Sequence, residues 1–248
     1  MRLSEAWGIA RSLVTYYGQV WRVPRRRAFY GAFVPPGGLC FDLGAHVGDR
    51  IRTFTQLGAR VVALEPQPLF FALLQRLYGS NSAVTILASA VGAAEGTATL
   101  QVSRATPTVS SLSTSWVDEV RADPRFRDIT WDTRCEVPVT TLDALVAKYG
   151  VPDFCKIDVE GFELDVLNGL SRPLPALSFE YIPVAKARAV ACVARLQTLG
   201  RYEFRRSEVE TTRWATPTWC TAEEITAQLD ALPLLAGSGD VYARLTAR

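Results

Sequence analysis

The chain predicts an α/β fold: a doubly wound, mostly parallel sheet with helices on both faces, preceded by a helical extension over residues 1–35. Three observations predict it. From residue 39 onward, short runs of Val, Ile, Leu and Phe alternate with segments of helical period. The runs are close to continuously apolar, as strands covered on both faces must be. Glycines stand where the helical segments should stop, at 58, 79, 150 and 200.

Each element follows from local chemistry. Residues 39–43, LCFDL, read as the first strand, and 49–57 as a short helix closed by Gly58. RVVALEP, 60–66, is the next strand; the helix 68–78 opens at Pro68, where a missing N–H costs nothing, and ends at Gly79. VTILASAVG, 84–92, reads as one strand and ATLQVS, 98–103, as another. A helix over 141–149 takes Thr140 or Thr141 as its cap and Gly150 as its stop. FCKIDVEG, 154–161, is a strand, 162–170 a helix and ALSFEYI, 176–182, a strand. The helix 184–199 stops at Gly200, and another spans 222–232. The last two strands, 202–209 and 240–245, alternate more and suit an antiparallel edge hairpin. Residues 36–248 thus form one domain, interrupted at 104–134 by a Ser/Thr-rich insertion whose length marks a binding loop or lid.

Composition removes several function classes. The 27 Lys and Arg against 25 Asp and Glu leave a net charge of +2, which supplies no electrostatic reason to bind nucleic acid. Arg22, Arg25, Arg26 and Arg27 crowd together near the N-terminus, as a solvated basic face or a local anionic-ligand patch. With Trp7, Tyr16, Tyr17 and Trp21 they also suit peripheral contact with a membrane surface. No apolar run approaches the length of a membrane span, and Arg2, Glu5 and Arg11 interrupt any signal-peptide core. The five cysteines are odd in number and form no C-x-x-C pair, so they read as reduced core thiols of a cytoplasmic protein.

The chemistry concentrates at two places. In an open parallel sheet a ligand binds beyond the carboxyl ends of the strands, and the first strand ends in Asp42-Leu43-Gly44, with Gly48 four residues further on. A dinucleotide fingerprint needs G-x-G-x-x-G, but His46 and Asp49 stand where its later glycines belong, so the diphosphate cradle is absent. Asp42 and Asp49 would repel a diphosphate and suit a ligand with an amino group or a sulfonium. Glu65 closes the second strand 21 residues after Gly44, where an acid hydrogen-bonds an adenosine ribose. This combination points to S-adenosylmethionine, with the ribose on Glu65-Pro66, the methionine part against Gly44, Ala45, His46 and Gly48, and Ser89-Ala90 flanking the adenine. The second place is Lys156, Asp158 and Glu160, which alternate along an otherwise apolar strand and so share one side of the sheet. Burying them without partners would cost ~2–7 kcal/mol even for a neutral polar group, which places Asp158 and Glu160 at the open strand end beside the cofactor.

With these pieces in view, the chain resembles the FkbM-type S-adenosylmethionine-dependent methyltransferases. The resemblance rests on FDLGAHVG (41–48), VVALEPQP (61–68), ASAVG (88–92), VPVTTLDAL (137–145) and KIDVEGFELDVLNGL (156–170), in family order over about residues 37–182. It implies a class I, Rossmann-like fold, usually with seven strands, and usually O-methylation of a hydroxyl on a sugar, glycolipid or secondary metabolite. By motif position Asp42, Gly44, Gly48 and Glu65 would touch the cofactor, and Asp158 would be the acid beside the methyl group. Many members have Thr where this chain has Ile51, which removes one hydroxyl contact. The extension and the insertion lie outside the motifs, so the acceptor does not transfer.

Methyl transfer from a sulfonium is a matter of alignment plus removal of the acceptor's proton. Asp158, with Glu160, is the expected proton acceptor, or holds a divalent cation such as Mg²⁺ that acidifies the hydroxyl. His46 is the rival base, since a histidine's unperturbed pKa suits proton transfer near neutral pH. Glu180 and Tyr181 are further candidates for acceptor binding, and Trp116 and Trp131 of the insertion offer aromatic faces to a sugar. The expected partner is a small-molecule or glycan acceptor; the sequence does not specify an oligomeric state. Two other readings remain: a non-catalytic binding module on the same fold, and a nicotinamide-dependent oxidoreductase, which the missing third glycine and the lack of a Tyr-x-x-x-Lys pair oppose.

Overall fold

A computed structural model describes Val14, residues 22–208 and residues 211–246. Trp7, Tyr16, Tyr17 and Trp21 lie outside the described residues. Ten strands are described: β1 (Leu39–Leu43), β2 (Arg60–Leu64), β3 (Val84–Leu87), β4 (Ala90–Val91), β5 (Gly96–Val102), β6 (Thr133–Thr140), β7 (Phe154–Ile157), β8 (Ala176–Tyr181), β9 (Tyr202–Arg206) and β10 (Gly239–Leu245). The helices are α1 (Val23–Tyr30), α2 (Asp49–Gln56), α3 (Pro68–Tyr78), α4 (Thr114–Val120), α5 (Leu142–Tyr149), α6 (Glu163–Asn168), α7 (Lys186–Leu199) and α8 (Ala222–Asp230).

Seven strands form the central sheet in the order β3-β2-β1-β7-β8-β10-β9, and β4, β6 and β5 form a small second sheet. The first five strands of the central sheet run parallel, and β10 is antiparallel to both neighbours. Strand order reverses between β1 and β7. This is the doubly wound α/β architecture expected from the strand composition.

The two faces of the sheet differ in what covers them. Leu39, Phe41 and Leu43 of β1 join Cys155, Ile157, Leu177 and Phe179 on one face, under Val146, Val166, Leu167, Leu196 and Leu229 of α5 to α8. Cys40, Ala63, Phe154 and Tyr242 line the other, under Tyr30, Ile51, Phe54 and Leu74 of α1 to α3. Burial of each such Leu, Ile or Phe stabilises the fold by ~1.5–3 kcal/mol. The last part of the N-terminal extension belongs to this second core: Tyr30 is 0% and Val34 3% exposed. Arg26 is also buried and paired with Asp49, whereas Arg22, Arg25 and Arg27 are exposed, so the basic cluster is only partly a solvated face.

Four sequence expectations are corrected. The run 84–92 is not one strand: it breaks between β3 and β4, where the Ser89 hydroxyl lies 2.8 Å from Ala90 O and 3.0 Å from Pro138 O, and β4 joins the small sheet. Strand β6 is missing from the expectation because Pro138 sits inside it and its side chains are mixed in polarity; it pairs antiparallel with β5. Strand β7 ends at Ile157, since Glu160 (φ 51°) and Gly161 (φ 87°) turn the chain out of the extended conformation. The pair β9–β10 is antiparallel with β9 at the edge, but it is no hairpin, because α8 intervenes and β10 also pairs with β8.

Candidate active site

The reversal of strand order between β1 and β7 opens a crevice beyond their carboxyl ends, which is where ligands bind in such sheets. A cleft of about 710 Å³, counting its mouth open to solvent, lies there. Gly44, His46, Glu65, Pro66, Ser89, Ala90, Asp158 and Glu160 all line it. Asp42, Ala45 and Gly48 do not; they stand behind the lining.

Gly44 shapes the floor. Its φ of 83° is in the left-handed region, its N–H donates to Leu64 O at 2.9 Å, and a Cβ there would lie 1.8 Å from Asp158 O. Only a residue without a side chain lets β1 and the segment after β7 come this close. Gly48 (φ 80°) begins α2, and its carbonyl accepts from the Tyr78 hydroxyl at 3.0 Å.

Glu65 is held at one end of the cleft. It is 2% exposed, and its two carboxylate oxygens each accept a backbone N–H, from His46 and from Gln67, both at 2.8 Å. Burial pushes its pKa up to about 7 against those two bonds. His46, with φ 47°, puts its ring 4.2 Å from that of Phe70. Its backbone supports Glu65 and lies at the cleft, while its ring packs on Phe70.

Asp158 follows β7 directly, and its Oδ2 lies 3.1 Å from the Lys156 ammonium. Lys156 is 2% exposed; burial works against its charge, but Asp158 and Asp240 outweigh it and hold its pKa well above the ordinary value. Lys156 and Asp158 thus meet as their spacing suggests. Glu160 reaches the same place by the turn at 160–161 rather than by strand alternation, and Glu180 joins from the end of β8. One oxygen from each of Asp158, Glu160 and Glu180 lies within 4.8 Å of the others. Burial, then the charges of Glu160, Asp158 and Glu163, raise Glu180 well above the usual carboxylate range. The turn after β7 and the end of β8 thus bring three carboxyl groups together, and burial with their like charge favours a proton on Glu180.

Asp42 lies deeper, 1% exposed, with no partner for Oδ2 among the described residues. Burial, with the nearby Asp49 charge, raises its pKa to about 7 against Arg50 and Lys156.

The insertion forms the opposite wall. Pro107, Thr108, Ser110 and Leu112 line the cleft. The Ser111 hydroxyl donates to Glu160 O at 2.5 Å, and Gln67 Nε2 donates to Pro107 O at 3.1 Å. Arg188 clamps α4 from outside through Glu119 Oε1 and Oε2, Ser115 Oγ and Gly161 O at 2.7–2.9 Å. Trp116, 1% exposed, packs on Gly161, and Trp131 Nε1 donates to Val109 O, so both indoles build the insertion's own core instead of facing the cleft. The Tyr181 hydroxyl is likewise committed, to Ser207 O at 3.0 Å. Sequence reasoning missed Gln67, Thr108 and Ser110. Gln67 had a signal, standing two residues after Glu65, and the other two lie in the hydroxyl-rich insertion.

Among solved structures, the precorrin-6y C5,15-methyltransferase of Geobacter metallireducens is similar over 89% of this chain and 86% of its own, with 11% identity and a TM-score of 0.48. A SAM-dependent O-methyltransferase from Thermotoga maritima matches 91% of this chain and 66% of its own, at 13% identity and a TM-score of 0.42. A chain from the complex between the Haloferax volcanii Trm112 methyltransferase activator and a putative methyltransferase matches 100% of this chain and 99% of its own, at 10% identity and a TM-score of 0.47. No curated protein sequence matches the chain. Among the described residues no helix is long and apolar enough to cross a membrane. The family model for the methyltransferase FkbM domain matches residues 42–205, from Asp42 on β1 through the cleft acids to β9. The chain therefore belongs to the FkbM family of S-adenosylmethionine-dependent methyltransferases.

Proposed function

We propose that this protein transfers the methyl group of S-adenosylmethionine to a hydroxyl oxygen of a small-molecule or glycan acceptor. The observation that carries the reading is that Glu65, Gly44 and Asp158 line one cleft, the missing side chain of Gly44 letting the Asp158 backbone pack directly against the end of β1. The residues fit the cofactor. Glu65, buried and ordered by two backbone N–H groups, has remaining lone pairs for the ribose hydroxyls; Ser89 and Ala90 stand beside the adenine position; Gly44 and His46 line the way to the methionine part. Asp42 supplies negative charge behind that floor, with Ala45 and Gly48 shaping the turn.

When bound, the cofactor would supply a methyl group already activated by the sulfonium. The chain's own work is to orient the acceptor and take its proton. Asp158 stands at the cleft with Glu160 beside it, and Glu180 shares their field, so a proton delivered to this cluster relieves like-charge repulsion. A hydroxyl acceptor needs that proton sink, which favours O-methylation. His46 lines the same cleft, and its role is cofactor contact in this reading. No divalent cation is called on, because the Lys156 ammonium already provides a fixed positive charge at Asp158. Thr108 and Ser110 offer hydroxyls to a polar acceptor. Five free cysteines favour the cytoplasm as its site of action.

Calorimetric titration with S-adenosylmethionine and S-adenosylhomocysteine tests the cofactor, and radiolabelled methyl transfer to a hydroxylated acceptor library tests the reaction. Asp158→Ala is expected to bind S-adenosylhomocysteine yet lose at least ~100-fold in transfer rate, the lower range of general-base effects. Parent-rate transfer by that variant refutes the assignment of the base. Absence of binding heat for both ligands refutes the cofactor.

A further inference from the structure

Strand register sets Asp42, Lys156, Ser178 and Tyr242 side by side on β1, β7, β8 and β10, on the sheet face covered by α1 and α2. A polar row in the middle of a buried sheet face is unfavourable unless its groups satisfy one another. Asp42 Oδ2 and Ser178 Oγ find no partner among the described residues, but Lys156 at the centre finds two outside the row: its Nζ is 3.1 Å from Asp158 Oδ2 and 2.8 Å from Asp240 Oδ1. The Tyr242 hydroxyl donates to Asp240 Oδ2 at 3.3 Å and lies 3.4 Å from the Tyr30 hydroxyl, which accepts from Arg50 Nε at 3.1 Å. Arg50 pairs with Asp49, which also takes Arg26 Nη1 at 2.5 Å. A continuous polar chain therefore runs from helix α1 to the cleft.

Neither Lys156 nor Asp240 lines the cleft, whereas Asp158 does. A buried ion pair of this kind is poor at adding stability, because desolvation offsets much of the attraction, but it fixes geometry well. We infer that Lys156 is the positioning residue for Asp158: anchored on Asp240, and through Tyr242, Tyr30 and Arg50 on helix α1, it holds the Asp158 carboxylate at the cleft. The inference rests on the reading of that cleft as an S-adenosylmethionine site with Asp158 beside the sulfonium.

The test is a double-mutant cycle read by calorimetry as the affinity ratio of S-adenosylmethionine, a cation at sulfur, to S-adenosylhomocysteine, which is neutral there. In the parent protein Asp158→Asn is expected to lower this ratio about tenfold, as loss of one neighbouring carboxylate charge should. In the Lys156→Gln background the same change is expected to lower it less than about threefold, because the carboxylate is no longer held in place. Lys156→Arg, which keeps the cation, restores the larger effect. Where Lys156→Gln does not fold, Asp240→Asn takes its place: it removes the second anchor and is expected to shrink the Asp158 effect in the same way. A merely structural lysine would weaken both ligands alike and leave the Asp158→Asn effect at its parental size in every background. That result, or a parent ratio indifferent to Asp158→Asn, overturns the inference. A parent protein that binds neither ligand overturns the cofactor reading instead.

Discussion

Replacing Gly44 by Ala puts a methyl group where the fold has a backbone carbonyl. The new Cβ would lie 1.8 Å from Asp158 O and 2.9 Å from Asp158 C, where ordinary contact begins at 3.4 Å. Neither atom belongs to a side chain that can swing away. The residue also has φ 83°, which costs an L-amino acid ~1–2 kcal/mol. Forcing the two segments apart adds the usual overpacking penalty of ~1–3 kcal/mol, so the change should destabilise by ~2–5 kcal/mol in all. Gly37 separates the two contributions: its φ is 75°, but a Cβ there meets nothing within 4 Å, so Gly37→Ala should cost only the backbone share, ~1–2 kcal/mol. Urea unfolding of both variants gives the difference, and S-adenosylhomocysteine titration gives the consequence at the site. We expect Gly44→Ala to lose at least tenfold in affinity, because the shift is imposed on Asp158 itself, and Gly37→Ala to bind like the parent. Equal stability losses together with parental binding by Gly44→Ala would show that the segments do not pack as described.

Two further outcomes follow from the site. The Asp42 carboxyl titrates from an ordinary 3.8 up to about 7 in the fold, so the folded state holds its proton over a window in which the unfolded chain has lost it. Its contribution is fully present below pH 3.8 and is lost as pH rises through 7, up to ~4 kcal/mol for a shift of this size. Asp42→Asn should therefore raise Tm at pH 8 and flatten its decline between pH 5 and 8, while weakening S-adenosylmethionine more than S-adenosylhomocysteine; an unchanged pH profile would count against a buried, uncompensated carboxylate. Arg188→Ala removes the contacts that tie Glu119 and Ser115 of α4 to Gly161 O. Because Glu119 is 41% exposed at its side chain, the stability loss should be about 1 kcal/mol, but limited proteolysis should cut within residues 104–134 several times faster, and parental protection would refute the clamp.

Much of the site was legible because its signals are local. The LCFDLGAHVG turn, Glu65 at a strand end and KIDVEG each report a strand that stops and turns, and periodicity shows such stops whatever the surroundings. Gly44 could be read as needing freedom, but the atom that demands it, Asp158 O, is more than a hundred residues away. His46 was legible as a cleft residue, while the bond its backbone makes to Glu65 was not. Trp116 and Trp131 misled because composition cannot tell an aromatic that faces a ligand from one that packs inside the insertion.

By itself, then, the chain determined the alternation of strands and helices, the position of the glycine turn after β1 and the acids that line the cleft beside it, since these depend on residues close in sequence and on the apolar periods that bury them. Only the tertiary structure decided that Lys156 lies between Asp158 and Asp240, that Tyr30 and Arg26 of α1 belong to the same polar chain, and that Glu180 completes the acid cluster. The physical reason is that a buried charge takes its partner from whichever strand or helix the register brings alongside. Register is set by the whole sheet, not by the residues next to the charge.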